Sequence, residues 1–108
     1  MREWEIASSS ESASDLDEIY RYISESLLAP ETAARQINRI KSAIMGLKNM
    51  PKRYPAYPEE PWKSRGYRQM PVNNYVVIYR TIDEADEVHI IRVLYGGRDI
   101  DAVLSGME

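Results

Sequence analysis

Apolar and polar positions along this chain follow two periods, one after the other. Glu3-Trp4-Glu5-Ile6-Ala7 alternates, which predicts a short strand over residues 3–7 with Trp4 and Ile6 on one face. The run Ser8-Ser9-Ser10-Glu11-Ser12-Ala13-Ser14 then reads as a turn leading into a helix cap, with Ser12 and Asp15 as the capping pair. Leu16, Ile19, Tyr20, Ile23 and Leu27 follow at helical spacing and predict an amphipathic helix over residues 13–27. Asp15, Asp17 and Glu18 fall in its first turns, where carboxylates favour the helix dipole. Leu28-Ala29 is a short link, and Pro30 suits the first position of a second helix. Ala33, Ala34, Ile37, Ile40, Ile44 and Leu47 form the apolar stripe of that helix, which ends before Pro51. Two helices so closely linked are expected to pack as an antiparallel hairpin.

Beyond Pro51 the helical period is lost. Pro51, Pro55, Pro58 and Pro61, with Tyr54, Tyr57 and Trp62, predict an ordered, irregular connection lying against a sheet. Strands are then expected at Gly66–Val72, Tyr75–Tyr79 and Glu87–Tyr95, separated by an Asn73-Asn74 turn and an Asp83–Asp86 turn. Gly96-Gly97 ends the last strand, and Asp99–Ser105 reads as a short terminal helix or arm. The predicted fold class is α+β: a two-helix antiparallel hairpin packed on a small, mainly antiparallel four-stranded sheet. Its order is strand-helix-helix-strand-strand-strand, with a short C-terminal helix or arm. Met45 and Met70 are expected in the core, as are Tyr75 and Tyr79, which share the parity of Val77.

With 108 residues and no internal repeat, one domain over residues 1–108 is expected. The chain has no cysteine and a single histidine. Disulfide, thiol and cysteine-zinc chemistry are therefore excluded, as is a multi-histidine metal site; no metal or cofactor is expected. The acidic start and the lack of a long apolar run point to the cytoplasm, with no membrane partner. The net charge of −3 conceals an asymmetry. Residues 1–31 carry two basic and eight acidic groups, residues 32–80 ten basic and two acidic, and residues 81–108 two basic and seven acidic. The basic middle third can attract a polyanion or an acidic protein segment.

Four segments, in this order, resemble the RelE/ParE toxin superfamily of type II toxin–antitoxin (plasmid stabilization) systems. They are Asp15-Leu16 with Ile19–Ile23, Arg68–Tyr75, Tyr75–Arg80 and Ile91–Ile100, and together they span most of the chain. The resemblance implies a compact toxin neutralised by an antitoxin encoded in the same operon, possible assembly as a toxin dimer or toxin–antitoxin hetero-oligomer, and one of two targets. RelE-like members cut messenger RNA on the ribosome, using the ribose 2′-hydroxyl as nucleophile and no metal. ParE-like members act on DNA gyrase. Arg68 is similar to a basic position of the RelE sheet, and Arg98 to a catalytic arginine. The RelE arginine of the core strand is Val76 here, its C-terminal tyrosine is Leu104, and a histidine found before the glycine in some relatives is Tyr95.

Arg68 and Arg98 are thus the candidate catalytic residues, with Tyr95 and His89 as weaker ones. Arg68, Tyr67, Arg92 and Arg98 are the candidates for binding RNA or another target. Tyr67 and Tyr95 flank the two arginines and could stack on bases. Sharing a face with Ile91 and Val93 would make His89 a packing residue, and a structural ion pair is an equal reading of Arg92. An arginine is a poor proton shuttle because its pKa stays above ~12. Loss of the RelE-like groups therefore favours a ParE-like toxin that inhibits gyrase by binding. A RelE-like endoribonuclease is the alternative, and an inert remnant that only binds antitoxin ranks third.

Overall fold

The protein is described from a computed structural model covering residues 3–107. Strand β1 (Glu5–Ser8) is followed by helices α1 (Ser10–Arg21) and α2 (Pro30–Gly46). Strands β2 (Tyr67–Val72), β3 (Tyr75–Ile82) and β4 (Glu87–Tyr95) come next, then helix α3 (Ile100–Gly106). The sheet order is β1-β4-β3-β2. β2, β3 and β4 form an antiparallel meander, and β1 joins β4 in parallel, Ile6 opposite Val88. Asn73 takes a positive φ of 55° at the β2–β3 turn and Asp86 one of 53° at the β3–β4 turn, the left-handed geometry that Asn and Asp tolerate best among non-glycine residues. Among the described residues no helix is long and apolar enough to cross a membrane.

The sheet is covered on both faces. Ile40, Ile44 and Leu47 of α2 and its exit pack with Trp4, Met70, Val72, Val77, Tyr79, Val88, Ile90 and Val93 in the larger cluster, against which Leu16 and Ile19 of α1 also lie. Tyr79 is wholly buried there, and its hydroxyl donates to the Pro51 carbonyl. On the other face the 51–66 connection and α3 supply Tyr57, Trp62 and Leu104, which close over Ile78, Val76 and Ile91. Tyr57 and Trp62 meet edge to face, at 5.9 Å and 88°.

Several expectations shift by a few residues, for physical reasons. The cap of α1 is Ser9, not Ser12: the Ser9 hydroxyl accepts from Ser12 N–H at 3.0 Å and donates to the Ile91 carbonyl at 2.7 Å. Ser12 and Asp15 are buried instead of capping. Helix α1 ends in a π turn, Tyr22–Ser26, in which Leu27 N–H bonds to Tyr22 C=O. The wider turn breaks the 3.6-residue register of the apolar stripe. Ile23 remains buried while Leu27 is 56% exposed, and Tyr20 is also largely exposed. Met45 lies on the outer side of α2 and is half exposed, not core, whereas Met70 is buried. A β-bulge where Ile78 pairs Arg92 but Tyr79 pairs Ile90 inserts Ile91 into β4. It reverses the alternation beyond that point, so that Ile91 and Val93 lie in different clusters.

Candidate functional site

The last residue of β4 begins a compact surface feature. Tyr95 is 54% exposed and stands edge-on to Tyr75, with ring centroids 6.0 Å apart. The chain turns beneath it through two glycines. Gly96 N–H donates to Asn74 C=O at 2.7 Å. A Cβ on Gly97 would lie 2.6 Å from Tyr95 Cε2, closer than real Cβ contacts come, so the ring can fold back only over glycine. Arg98 N–H then donates to Tyr95 C=O at 3.0 Å, and the Asp99 carboxylate accepts from Ala102 N–H to start α3. Across from this turn, the π turn presents Tyr22, which is 57% exposed. Glu18, Ile19, Tyr22, Tyr75, Tyr95 and Arg98 line a shallow groove of about 180 Å³. Burial first, and then the neighbouring Tyr22 and Tyr95, pushes the Tyr75 hydroxyl above its ordinary pKa.

Arg92, bonded to Asp15 of the groove wall, is committed internally. Its Nε and Nη2 each donate to Asp15 at 2.7 Å, and Asp15 Oδ2 also accepts from Val93 N–H at 2.9 Å. The bond to Asp15 holds the guanidinium above even the usual arginine pKa. The ion-pair reading of Arg92 is therefore the one the geometry carries, and the side chain is not free to meet a target.

Arg68 lies at the opposite end of the sheet. It pairs with Tyr79, which pairs with Ile90, five positions short of Tyr95. That is roughly 16 Å along the strand, so Arg68 and Arg98 cannot grip the same phosphate. Arg68 Nη1 donates to the carbonyls of Lys52 (3.2 Å) and Tyr54 (2.7 Å), tying the 51–66 connection to β2. Tyr67, Arg80 and His89 form one cross-strand row at this same end. His89 shares the face of Ile91 but not that of Val93, and its Nε2 lies 2.9 Å from Glu87 Oε1. It is far from Arg98, so these two groups do not form an acid–base pair. Val76 and Leu104, standing where the RelE pattern has an arginine and a tyrosine, pack in the same apolar cluster. The groove at Arg98 thus offers three phenols, one guanidinium and two carboxylates, Glu18 and the Asp15 already bonded to Arg92.

The profile of the family described as ParE toxin of type II toxin-antitoxin system, parDE, matches residues 6–100. The chain belongs to the ParE toxin family. Solved structures agree on its fold. The chromosomal ParDE toxin–antitoxin system from P. aeruginosa contains a similar chain, with TM-score 0.70 and 22% identity, covering 85% of this chain and 95% of that one. The RelBE2 toxin–antitoxin complex from Mycobacterium tuberculosis gives 0.62 and 22%, covering 88% and 93%. An arginine-substituted RelE toxin of E. coli, in the free state, gives 0.66 and 12%, covering 95% and 92%. No curated protein sequence matches significantly. As a ParE-family toxin, the chain has the expected strand order and helix hairpin.

Tyr22 and Asp15 escaped the sequence reading as site residues. Tyr22 stood off the apolar stripe and looked like plain surface, and only the π turn brings it to Tyr75. The partner of Asp15 is 77 positions away, beyond the reach of any local spacing rule.

Proposed function

We propose that this ParE-family toxin arrests growth by binding a macromolecular target, DNA gyrase, and not by cutting messenger RNA. The observation that carries the reading is that Val76 and Leu104 belong to one apolar cluster. Where RNA cleavage would need a cation and a phenol, two aliphatic side chains contribute to the core under α3. Recognition falls instead to the rim at Tyr22, Tyr95 and Arg98, since ordered, exposed tyrosines and arginine are the residue types that dominate binding energy at interfaces. The partner that neutralises the toxin is an antitoxin from the same operon. Its acidic and apolar segments would lie on the basic middle third, where α2 exposes Arg35, Arg39 and Lys41.

The test pairs two assays on the purified toxin. Supercoiling by gyrase should be inhibited, and primer extension on messenger RNA should show no toxin-dependent ends. Arg98→Ala, with unchanged circular dichroism, should weaken inhibition by about tenfold or more. Cleavage of messenger RNA with gyrase unaffected would overturn the reading.

A further inference from the structure

The two edges of the sheet are finished differently. Along β2 the 51–66 connection lies alongside: Tyr57 N–H donates to Tyr67 C=O at 2.9 Å and Gln69 N–H to Pro55 C=O at 3.1 Å, so that edge is covered. Along β1 the edge is open. Glu5 N–H donates to Asp86 C=O at 2.9 Å and Ser9 N–H to Ile90 C=O at 3.0 Å, which turns the backbone groups of these residues toward β4. Such groups alternate along a strand, so Ile6 and Ser8 turn theirs to the outer side. Trp4 N–H finds a partner there, Lys48 C=O at 3.0 Å, while among the described residues the N–H groups of Ile6 and Ser8 find none. An uncovered edge is a template for another strand. Beside it a groove of about 700 Å³ runs between β1 and the helices, lined by Trp4 and Ile6 from the strand side, Leu16 of α1, and Ile44 and the half-exposed Met45 of α2. Lys41 precedes this apolar pair of α2 and Lys48 follows it, each also lining the groove. The opposite face of β1 is polar. It carries Glu5 and Ala7, in register with Glu87 and His89.

We propose that the β1 edge docks an extended segment of a partner protein as an added strand, its apolar side chains facing the groove and its lysines or arginines facing Glu5. The open backbone groups of Ile6 and Ser8 would bond the segment, and the two faces would select its side chains, which alternate with period two. β1 has only four residues, so backbone bonds are few and the apolar groove must add to them. On the groove face the lysines at either end favour a carboxylate before and after the apolar row. On the other face Glu5 stands beside Glu87, and a basic residue of the added strand relieves that pair of carboxylates. A second copy of this chain fits worse. Pairing two β1 strands with their apolar faces together would bring both copies of Glu5 opposite or diagonal to one another, with Glu87 next to each, and like charges so placed are destabilising. The alternating apolar and basic segment differs from the acidic one proposed to lie on α2, and the edge is separate from the Tyr95–Arg98 rim, so this reading is independent of the target proposed above.

The test is a titration of the full chain by proton–nitrogen NMR, with the capped peptide Glu-Lys-Ile-Lys-Val-Lys-Glu as the probe. Saturable shifts of the Ile6 and Ser8 amide signals, with slowed hydrogen exchange at both, are the expected result. The charge-exchanged peptide Lys-Glu-Ile-Glu-Val-Glu-Lys should bind about tenfold or more weakly. Ser8→Pro removes a donor that the internal sheet does not use, and should weaken binding of the first peptide by about tenfold or more. Glu5→Lys should abolish the preference for the first peptide, and covers the case in which the proline variant does not fold. Sedimentation of the chain alone tests the second copy as occupant. No saturable shift, shifts confined to other strands, equal binding of the two peptides, undiminished binding by a folded Ser8→Pro protein, an unchanged preference in Glu5→Lys, or a dimer that Ser8→Pro dissolves would each overturn the assignment.

Discussion

Replacing Asp15 by Asn should be the most damaging conservative change in the chain. Asp15 and Arg92 have side chains 5% and 16% exposed, and the carboxylate accepts three hydrogen bonds, two from the guanidinium and one from Val93 N–H. Asparagine keeps the shape but offers only one acceptor atom. Its amide nitrogen would face an N–H of Arg92 or of Val93, donor against donor. Breaking a buried pair by removing one partner costs about 3–5 kcal/mol. The residual exposure of Arg92 lets water recover part of that, so about 3 kcal/mol is expected. Against a total stability of about 5–15 kcal/mol this is a large fraction, corresponding to a fall in Tm of roughly 12–20 °C. Urea unfolding followed by far-ultraviolet circular dichroism and by Trp4 and Trp62 fluorescence measures it. The double change Asp15→Leu with Arg92→Leu should recover much of the loss, since an apolar pair leaves no orphaned charge. A loss below about 1 kcal/mol for Asp15→Asn, the range of exposed ion pairs, would refute the claim that this bond pins α1 to β4.

Two further outcomes are expected. Burial raises the Tyr79 hydroxyl to about 12, so the folded state keeps its proton where the unfolded chain, with a value of about 10, releases it. The resulting stability is complete below about pH 10 and is lost between about 10 and 12, amounting to about 2–3 kcal/mol. Unfolding free energies across that range should fall less steeply in Tyr79→Phe, and an unchanged slope would contradict the assignment. Gly97→Ala should displace the Tyr95 ring, whose Cε2 lies 2.6 Å from the added carbon. Gyrase inhibition should drop while stability changes by less than about 1 kcal/mol, because the ring is exposed and can swing away; full inhibition would remove Tyr95 from the contact surface.

Much of the architecture was legible because local rules and tertiary packing agree. The stripe Ile37, Ile40, Ile44 and Leu47 is buried as its spacing predicts, and Met70, Val77 and Tyr79 share the larger core. What was hidden depends on long-range geometry. In a run of serines, the one that caps is chosen by reach to the Ile91 carbonyl, 82 positions away. The bulge at Ile91 carries no sequence mark, yet it separates His89 and Val93 onto different faces. Arg68 and Arg98 looked like one site because both match basic positions of one superfamily. The strand register places them at opposite ends, and no spacing along the chain could reveal that.

The proposed recognition role of the rim rests on the same packing. A catalytic surface on the α3 side of the sheet would have to expose Val76 and Ile78, which Leu104, Ile100, Trp62 and Tyr57 now cover. Leu104 is 2% exposed and Ile78 wholly buried, and each such side chain contributes about 1.5–3 kcal/mol by leaving water. The Tyr57 hydroxyl adds a bond to Asp101 that holds α3 against the connection. Lifting α3 would therefore cost several kcal/mol, break the Tyr57–Asp101 bond and expose the aliphatic side chains of Val76 and Ile78. The same seal steadies the Gly96–Asp99 turn from which α3 starts. Under the proposed function, such a turn would let Tyr95 and Arg98 meet a partner without ordering side chains at the moment of contact.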